Sequence, residues 1–228
     1  MDKLVNLINT KKMTIIVALP ANSVEMAIAA ANNGAHAIKT HIRMTHRASK
    51  VEFGTLEQER DSLTNILQAV DLPVGIVPGA TLDVSKKDIE EIADMDFDFY
   101  DMFTTFIRPQ LFEVGNISVM GAVDSSFDID AIAALSKNPI QMMEIAIIPA
   151  SGYGAPLSIV DLVNYRQTIE RMEIPAIIPS QRTLTPEDVP YLYETGAKAL
   201  LIGVLSTGTD LDILARQTAA FRNAVEKL

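Results

Sequence analysis

The stretch Ile174–Asp210 reads IPAIIPSQRTLTPEDVPYLYETGAKALLIGVLSTGTD and shows most clearly how the chain is built. A short apolar strand ends at Pro179, and after a polar turn Thr185-Pro186 begins a helix, with threonine as N-cap and proline at the first helical position. Thr195-Gly196 ends that helix, and a second apolar run extends from Ala199 to Val204. A strand, a helix and another strand in this order are typical of parallel strands joined by a crossover helix.

The rest of the chain repeats this alternation of short β-branched runs and longer amphipathic segments. The predicted strands are 14–19, 35–41, 73–77, 97–102, 117–123, 142–148, 176–179 and 199–204. Eight strand–helix units close naturally into a (β/α)8 TIM barrel, which we expect to be a single domain over residues 1–228. Residues 1–12 are expected to form a short helix that closes the barrel floor. A doubly wound sheet is the alternative, but Leu19-Pro20-Ala21-Asn22 lacks the Gly-rich turn that follows its first strand.

Composition limits the classes of partner. Of the 228 residues, 48% are hydrophobic, which is enough for a large core, and the net charge is 19 − 29 = −10. An acidic chain repels nucleic acid, and no stretch approaches the ~20 apolar residues of a membrane span. Cysteine is absent, which excludes disulfides and thiol nucleophiles. No apolar leader segment is apparent. We therefore expect a cytoplasmic protein without nucleic-acid or membrane partners.

The 174–210 stretch resembles the seventh and eighth units of the phosphate-binding (β/α)8 barrels. That group includes N-acetylmannosamine-6-phosphate epimerase, indole-glycerol-phosphate synthase, phosphoribosylanthranilate isomerase and thiamine-phosphate synthase. In such barrels, backbone amides after strands seven and eight and the N-terminus of a short helix hold a phosphate, since free N–H groups favour a dianion. The resemblance implies phosphate contacts in three places: Ser180, Gln181 and Arg182 after strand seven, Gly203 and Val204 after strand eight, and Ser151 and Gly152 in the turn after strand six.

Strand two carries an unusual lysine. Alternation places Lys39 on one face with Ala37 and His41, so that Lys39 would lie inside the barrel and His41 at its mouth. A lysine among apolar walls loses its hydration, and we therefore expect its pKa to fall. A lysine of lowered pKa serves as a Schiff-base nucleophile or as a general base.

Carboxylates on other strands complete a candidate acid–base set with Lys39 and His41. Asp124 closes strand five, and Glu144 lies in the apolar strand six. A carboxylate in such a strand must be paired or protonated, and Lys39 is the best candidate partner of Glu144. Strand four offers Asp98 or Asp101, and its pattern does not decide which of the two faces inward.

The loop of residues 42–53 is long for a barrel connection and rich in cations. Arg43, His46 and Arg47 are candidates for a lid that closes over the mouth and holds a second anionic group, because arginine binds carboxylate or phosphate with two hydrogen bonds. An exposed loop or an oligomer contact is the alternative. His41 and His46 have no carboxylate near them in sequence, so we expect neither a metal nor a cofactor.

Together these features predict an enzyme that acts on a small phosphorylated, sugar-phosphate-like metabolite at the C-terminal mouth of the barrel. The two candidate chemistries are isomerase or epimerase chemistry and Schiff-base lyase or aldolase chemistry. The alternative is a barrel that binds a phosphorylated ligand without turnover, as a sensor or a subunit. Barrels commonly pair through their side helices, and we expect a homo-oligomer, most simply a dimer.

Overall fold

Eight parallel strands form a closed barrel in the computed structural model, which describes residues 2–46 and 48–228. Each strand pairs with the strands before and after it, and β8 pairs with β1. The predicted (β/α)8 fold is confirmed. The strands are β1 (Thr14–Ala18), β2 (Ala37–His41), β3 (Val74–Val77), β4 (Phe99–Phe103), β5 (Ser118–Asp124), β6 (Met142–Ala146), β7 (Ala176–Pro179) and β8 (Ala199–Ile202).

Helices surround the barrel, and several begin at the caps that the sequence predicts. The hydroxyl of Ser23 caps the second helix, and Thr55 and Gln58 form a reciprocal capping box at the third. After β4, two 3-10 turns (Thr104–Phe106 and Pro109–Glu113) stand in place of a long helix. The helices are α1 (Lys3–Thr10), α2 (Val24–Asn32), α3 (Leu56–Ala69), α4 (Lys86–Asp94), α5 (Ile129–Leu135), α6 (Ile159–Ile169), α7 (Val189–Tyr193), α8 (Val204–Thr207) and α9 (Leu211–Glu226).

Helix α1 packs against the N-terminal ends of the strands, opposite the mouth. Its Leu4 and Ile8 join the apolar cluster that fills the barrel interior. The carboxylate of Asp98, just before β4, accepts hydrogen bonds of 2.9 Å from the backbone N–H groups of Lys3 and Leu4. A carboxylate at a helix N-terminus is stabilised by the helix dipole. Asp98 therefore holds α1 at the end of the barrel opposite the C-terminal ends of the strands.

The interior is packed with mixed large and small residues. Gly75 on β3 stands in register between Lys39 of β2 and Phe99 of β4. A Cβ atom at Gly75 would lie only 2.1 Å from the ring of Phe99, so the missing side chain makes room for that ring. The interior cluster consists of Leu4, Ile8, Ile16, Ala18, Ala37, Phe99, Met120, Met142, Ile177, Ala199 and Leu201.

The long connection after β2 is partly ordered as a hairpin. Met44–Thr45 pairs antiparallel with Glu52–Phe53, and the N–H of Arg43 donates to the carbonyl of Gly54 at 2.7 Å. We call residues 43–54 the β2 hairpin. Within the described part of the chain, no helix is long and apolar enough to cross a membrane.

Candidate active site at the barrel mouth

A cavity of about 420 Å³ opens at the C-terminal ends of the strands. Buried polar side chains of the strands lie at its deep end, and the β2 hairpin and the turns after β3, β7 and β8 form its walls. Its lining includes nine of the residues that the sequence singled out, together with apolar side chains of the walls. The nine are Lys39, His41, Arg43, His46, Glu144, Ser180, Gln181, Gly203 and Val204.

Lys39 is held between two carboxyl groups at the deep end of the cavity. Its Nζ lies 2.6 Å from Asp101 Oδ2 and 2.8 Å from Glu144 Oε2, and all three side chains are buried. They come from β2, β4 and β6, and in a TIM barrel the alternate strands contribute side chains to one interior layer. The structure therefore assembles an ion-pair triad, Lys39–Asp101–Glu144, from three strands. Lys39 and Glu144 are 105 positions apart in the sequence.

The pKa of Lys39 departs from the expectation. Burial alone lowers it, but the negative charges of Asp101 and Glu144 and their hydrogen bonds outweigh burial and raise the pKa above its ordinary value. The expected fall was wrong because it counted the apolar walls and left out two carboxyl groups in contact. Lys39 is consequently an ammonium ion at neutral pH.

The two carboxyl groups of the triad differ. Burial and the nearby negative charge of Glu144 raise the pKa of Asp101 well above its usual range. Burial also acts to raise the pKa of Glu144, but the charge of Lys39 and hydrogen bonds from Asp101 and Lys39 prevail and lower it. Asp101 Oδ1 is buried and accepts no hydrogen bond from any described residue. The anion is thus favoured at Glu144 and the neutral form at Asp101, beside the Lys39 ammonium.

His41 and His46 lie beside this triad. Their ring centroids are 5.1 Å apart, and the His41 ring lies 5.0 Å from that of Phe53 in the β2 hairpin. Burial, followed by the charge of Lys39, lowers the pKa of His41 well below its usual value and that of His46 to about 4. Both imidazoles are therefore neutral at pH 7. No described residue contacts the buried His41 Nδ1 through a hydrogen bond.

The ends of β7 and β8 meet at the other side of the cavity. The N–H of Gly203 donates to Ser180 Oγ at 2.8 Å, and Gly203 is the N-cap of α8. The N–H groups of Ser206 and Thr207 bond to the carbonyl of Gly203. The N–H groups of Val204 and Leu205, by contrast, have no acceptor in residues 2–46 and 48–228. Two free amides and a hydroxyl thus belong to residues that line one side of the cavity.

Strand β8 ends earlier than the sequence pattern suggested. The expected strand ran to Val204, but Gly203 leaves the strand and Val204 is already the first residue of α8. This early helix start is what frees the amides of Val204 and Leu205, because the first N–H groups of a helix have no partner within it.

Some predicted residues lie elsewhere. The Arg182 guanidinium binds both carboxylate oxygens of Asp161 at 2.9 and 3.0 Å and the carbonyl of Gly152 at 2.6 Å, so it faces α6. Asp124 Oδ1 accepts from the N–H of Ser126 at 2.8 Å in its own turn. Among described residues, those that line the cavity do not include Asp124, Ser151, Gly152 or Arg182.

Gln181 lines the cavity, but its side chain is bound to the neighbouring turn. Its Oε1 accepts from the N–H of Ile148 at 3.0 Å, and its Nε2 donates to the carbonyl of Ala146 at 2.9 Å. The Tyr153 hydroxyl contacts the same Nε2 at 2.5 Å. Gln181 therefore fixes the turn after β6 against the turn after β7.

Of the candidate lid residues, Arg43 and His46 line the cavity, and Arg47 lies outside the described residues. Arg43 is bound by Asp88 of α4, with Nη2 at 2.7 Å from Oδ1. Within residues 2–46 and 48–228, no group of three His, Asp or Glu side chains has an arrangement that could hold a metal ion.

The sequence left Asp101 as one of two alternatives with Asp98, and it did not identify Tyr153 or Leu205 as site residues. In 97–103, aromatic and carboxylate side chains alternate without one clearly apolar face, so the pattern left Asp98 and Asp101 equivalent. The structure separates them, since Asp98 binds α1 and Asp101 binds Lys39. Leu205 belongs to the candidate site through its backbone amide. The short helix that follows Gly203 is the feature that could have indicated it.

No protein-family model and no curated protein matches the sequence. Solved structures are similar in fold. Thiamine phosphate pyrophosphorylase from Pyrococcus furiosus is 14% identical with a TM-score of 0.66, covering 95% of this chain and 97% of its own. Phosphoribosyl anthranilate isomerase from Thermus thermophilus is 15% identical with a TM-score of 0.69, and the match covers 94% of this chain and 99% of that protein. KGPDC from Streptococcus mutans is 13% identical with a TM-score of 0.70, and the match covers 95% of this chain and 99% of that protein. The chain thus shares its (β/α)8 fold with these proteins.

Proposed function

We propose that the protein is an enzyme that isomerises or epimerises a small phosphorylated metabolite by proton transfer. The phosphate would bind the amides of Val204 and Leu205 and the hydroxyl of Ser180, and the reacting carbons would lie against the Lys39–Asp101–Glu144 triad. The observation that carries the proposal is the presence of both groups in one cavity. Two similar structures have names of enzymes of phosphorylated compounds, which agrees with this substrate class.

The wall at Ser180 suits a dianion. The unpaired N–H groups of Val204 and Leu205 at the start of α8 can donate hydrogen bonds to an anion. Ser180 Oγ already accepts from Gly203, so its own proton is available to an acceptor in the cavity. Three hydrogen-bond donors of residues that line one side of the cavity are thus available to a phosphate.

The two ends of the cavity lie at a distance that a sugar phosphate spans. A Cβ atom at Gly203 would lie 3.5 Å from Ala18 Cβ, and Ala18 is in register with Lys39. Strands are about 4.8 Å apart, so β8 and β2 are separated by roughly 10 Å. A phosphate at α8 therefore leaves room for several carbons before the triad.

The protonation states favour proton transfer over Schiff-base chemistry. A lysine whose pKa is raised is a poor nucleophile, because its free amine is scarce. An ammonium instead stabilises negative charge that develops on a substrate oxygen. A carboxyl group of raised pKa next to an ionised one supplies the acid and base that such a reaction needs.

Two measurements with the wild-type protein test the proposal. Calorimetric titration with ribose 5-phosphate and with ribose should detect binding of the phosphorylated compound only. Incubation of phosphorylated aldoses and ketoses in D2O, followed by proton NMR, should reveal loss of the signal next to the carbonyl. Borohydride should trap no adduct on Lys39. Equal binding of ribose would contradict the phosphate site, binding without exchange would favour a ligand-binding barrel, and a trapped adduct would favour a lyase.

A further inference from the structure

We infer that the side of the cavity formed by β3, β4 and the β2 hairpin binds an apolar group of the substrate, of the size of an aromatic ring. This inference rests on the proposed function and narrows its substrate class, because the phosphorylated compound then carries an apolar end rather than hydroxyl groups alone. In the eight-strand ring, β3 and β4 lie diametrically opposite β7 and β8. The apolar group would therefore lie across the mouth of the barrel from Ser180.

Three apolar side chains line this side of the cavity without belonging to the core of the protein. Met44 of the hairpin, Val77 of β3 and Phe103 of β4 are half-buried. None of them joins either of the two apolar clusters that the described residues form, one inside the barrel and one between the strands and the helices. Their apolar surface at the cavity is thus available to a ligand, and burial of such surface is favourable.

The strand pattern directs Val77 and Phe103 towards the mouth. Successive side chains of a strand alternate, so Phe103 shares its face with Phe99 in the barrel interior and with Asp101 of the triad. Val77 is in register with His41, which also lines the cavity. Both side chains therefore lie nearer the mouth than the triad does.

The β2 hairpin brings Met44 to the same side. The hairpin packs against the turn after β3, because a Cβ atom at Gly79 would lie 3.5 Å from Arg43 Cβ. Arg43 Nη2 in turn binds Asp88 Oδ1 of α4 at 2.7 Å. These contacts hold the next residue of the hairpin, Met44, beside the turn after β3, and they leave the Arg43 guanidinium occupied.

The polar side chains of the hairpin and of the turn after β3 are bound within their own turns. His46 Nδ1 accepts from the N–H of Ser49 at 3.1 Å, and Thr81 Oγ1 accepts from the N–H of Asp83 at 2.9 Å. Thr45 also lines the cavity and is exposed. A substrate hydroxyl on this side would lose hydrogen bonds to water and gain few in return, whereas an apolar group has none to lose. This side therefore favours an apolar group.

The size of the cavity leaves room for such a group beside a phosphate. Its volume of about 420 Å³ lies within the roughly 300–1,000 Å³ of sites that enclose a drug-sized ligand. Met44 and Phe103 suit a flat ring, since sulfur–aromatic and aromatic–aromatic contacts are both favourable. A phenyl ring is therefore the probe that represents the group.

Calorimetric titration with propyl phosphate, phenylpropyl phosphate and ribose 5-phosphate tests the inference. The first two ligands differ only in the terminal ring. Phenylpropyl phosphate should bind the wild-type protein roughly 10- to 100-fold more tightly than propyl phosphate, which is the gain expected for burying a ring-sized group. It should also bind more tightly than ribose 5-phosphate, whose hydroxyl groups find few partners on the apolar side. Equal affinities for phenylpropyl phosphate and propyl phosphate would overturn the inference.

Variants locate the ring. Phe103→Gln and Met44→Gln place an amide where the ring would pack, so each should weaken the binding of phenylpropyl phosphate several-fold and leave that of propyl phosphate unchanged. Val77→Thr keeps the shape of the side chain and adds a hydroxyl, and it tests the same surface if a glutamine variant does not fold. Leu82→Gln is the matched control, since Leu82 is exposed in the turn after β3 and outside the described lining of the cavity. Variants that keep the wild-type preference for the ring would contradict the inference.

Methionine methyl signals show where the ring lies without any need for a phosphate. Carbon-13 NMR of methionine-labelled protein is recorded during titration with phenylpropanol to saturation. The Met44 signal, identified by its loss in Met44→Gln, should shift through the ring current, and that of Met172, between α6 and β7, should not. An unshifted Met44 signal would refute the apolar side. Equal affinities for phenylpropanol and phenylpropyl phosphate, with a shifted Met44 signal, would support the apolar side and contradict the proposed function instead.

Discussion

Lys39 Nζ lies 2.6 Å from Asp101 Oδ2 although the two residues belong to strands that do not pair with each other. Strand β3 separates them, and its residue in register with Lys39 is Gly75. The contact is possible because the side chains of alternate strands meet across the barrel interior. The chemistry proposed for the cavity depends on this cation and its two carboxyl partners.

Replacing Lys39 by methionine should destabilise the protein in a pH-dependent way. Two buried carboxyl groups without a cation have folded-state pKa values above their unfolded values of about 4. Their contribution to stability is then present below the unfolded pKa and is lost as pH rises. The free energy of unfolding should fall by about 3–5 kcal/mol near neutral pH and by less near pH 4.

Urea unfolding at several pH values measures this effect. Lys137→Met is the control, because Lys137 forms an exposed ion pair with Glu173. We expect that change to have little effect at any pH. A Lys39→Met loss that is the same at acidic and neutral pH would show that the carboxyl groups are not left uncompensated.

Replacing Ser180 by alanine should weaken the binding of inorganic phosphate roughly 10-fold, because a hydrogen bond to a charged group contributes about 1.5–3 kcal/mol. The Gly203 N–H, released from Ser180 Oγ, offsets part of this loss. Calorimetric titration gives the dissociation constant. The exposed Ser125→Ala is the matched change. Equal affinities of the two variants would place the anion away from Ser180.

Replacing Arg182 by glutamine should affect stability and leave phosphate affinity intact. Its guanidinium is bound by Asp161 and the Gly152 carbonyl, so the variant loses hydrogen bonds between β7 and α6. We expect a loss of roughly 1.5–3 kcal/mol in the free energy of unfolding. The control is Arg171→Gln, at an exposed ion pair. Weaker phosphate binding with unchanged stability would return Arg182 to the ligand site.

All three histidines should stay neutral at physiological pH. Burial, followed by the charge of Arg222, lowers the pKa of His36 to about 4, and that of His46 is also about 4. Because these folded-state values lie below the unfolded value near 6.5, their contribution to stability is complete above pH ~6.5 and is lost as pH falls towards 4. NMR titration of the ring protons checks this, with urea-unfolded protein as reference. A histidine that titrates near 6.5 in the folded protein would contradict it.

The fold was readable because its signals are local and repeated. Caps such as Ser23 and the Thr55–Gln58 box fix helix starts within a few residues, and β-branched runs mark the strands. Eight strand–helix units in succession are then compatible with few topologies. The depth of Lys39 in the barrel followed from simple alternation along β2, which the structure confirms.

The site was less readable because it depends on contacts between distant segments. The pKa of Lys39 could not be obtained from β2 alone, since the carboxyl groups that raise it lie on β4 and β6. Arg182 looked like a phosphate contact from its place after β7, but its partner Asp161 lies in a helix that the sequence does not orient. The backbone amide of Val204 was anticipated only through the resemblance of the 174–210 stretch, because side-chain patterns alone do not report on free N–H groups.

Phosphate binding at the amide of Val204 tests the account most directly. Proline fits the first position of a helix, so Val204→Pro removes that N–H group while α8 is retained. Leu211→Pro makes the same change at the first position of α9, where Asp210 caps later residues. Titration with inorganic phosphate should show about 10-fold weaker binding for Val204→Pro and wild-type binding for Leu211→Pro. Wild-type binding by both variants would contradict the claim that α8 holds the phosphate.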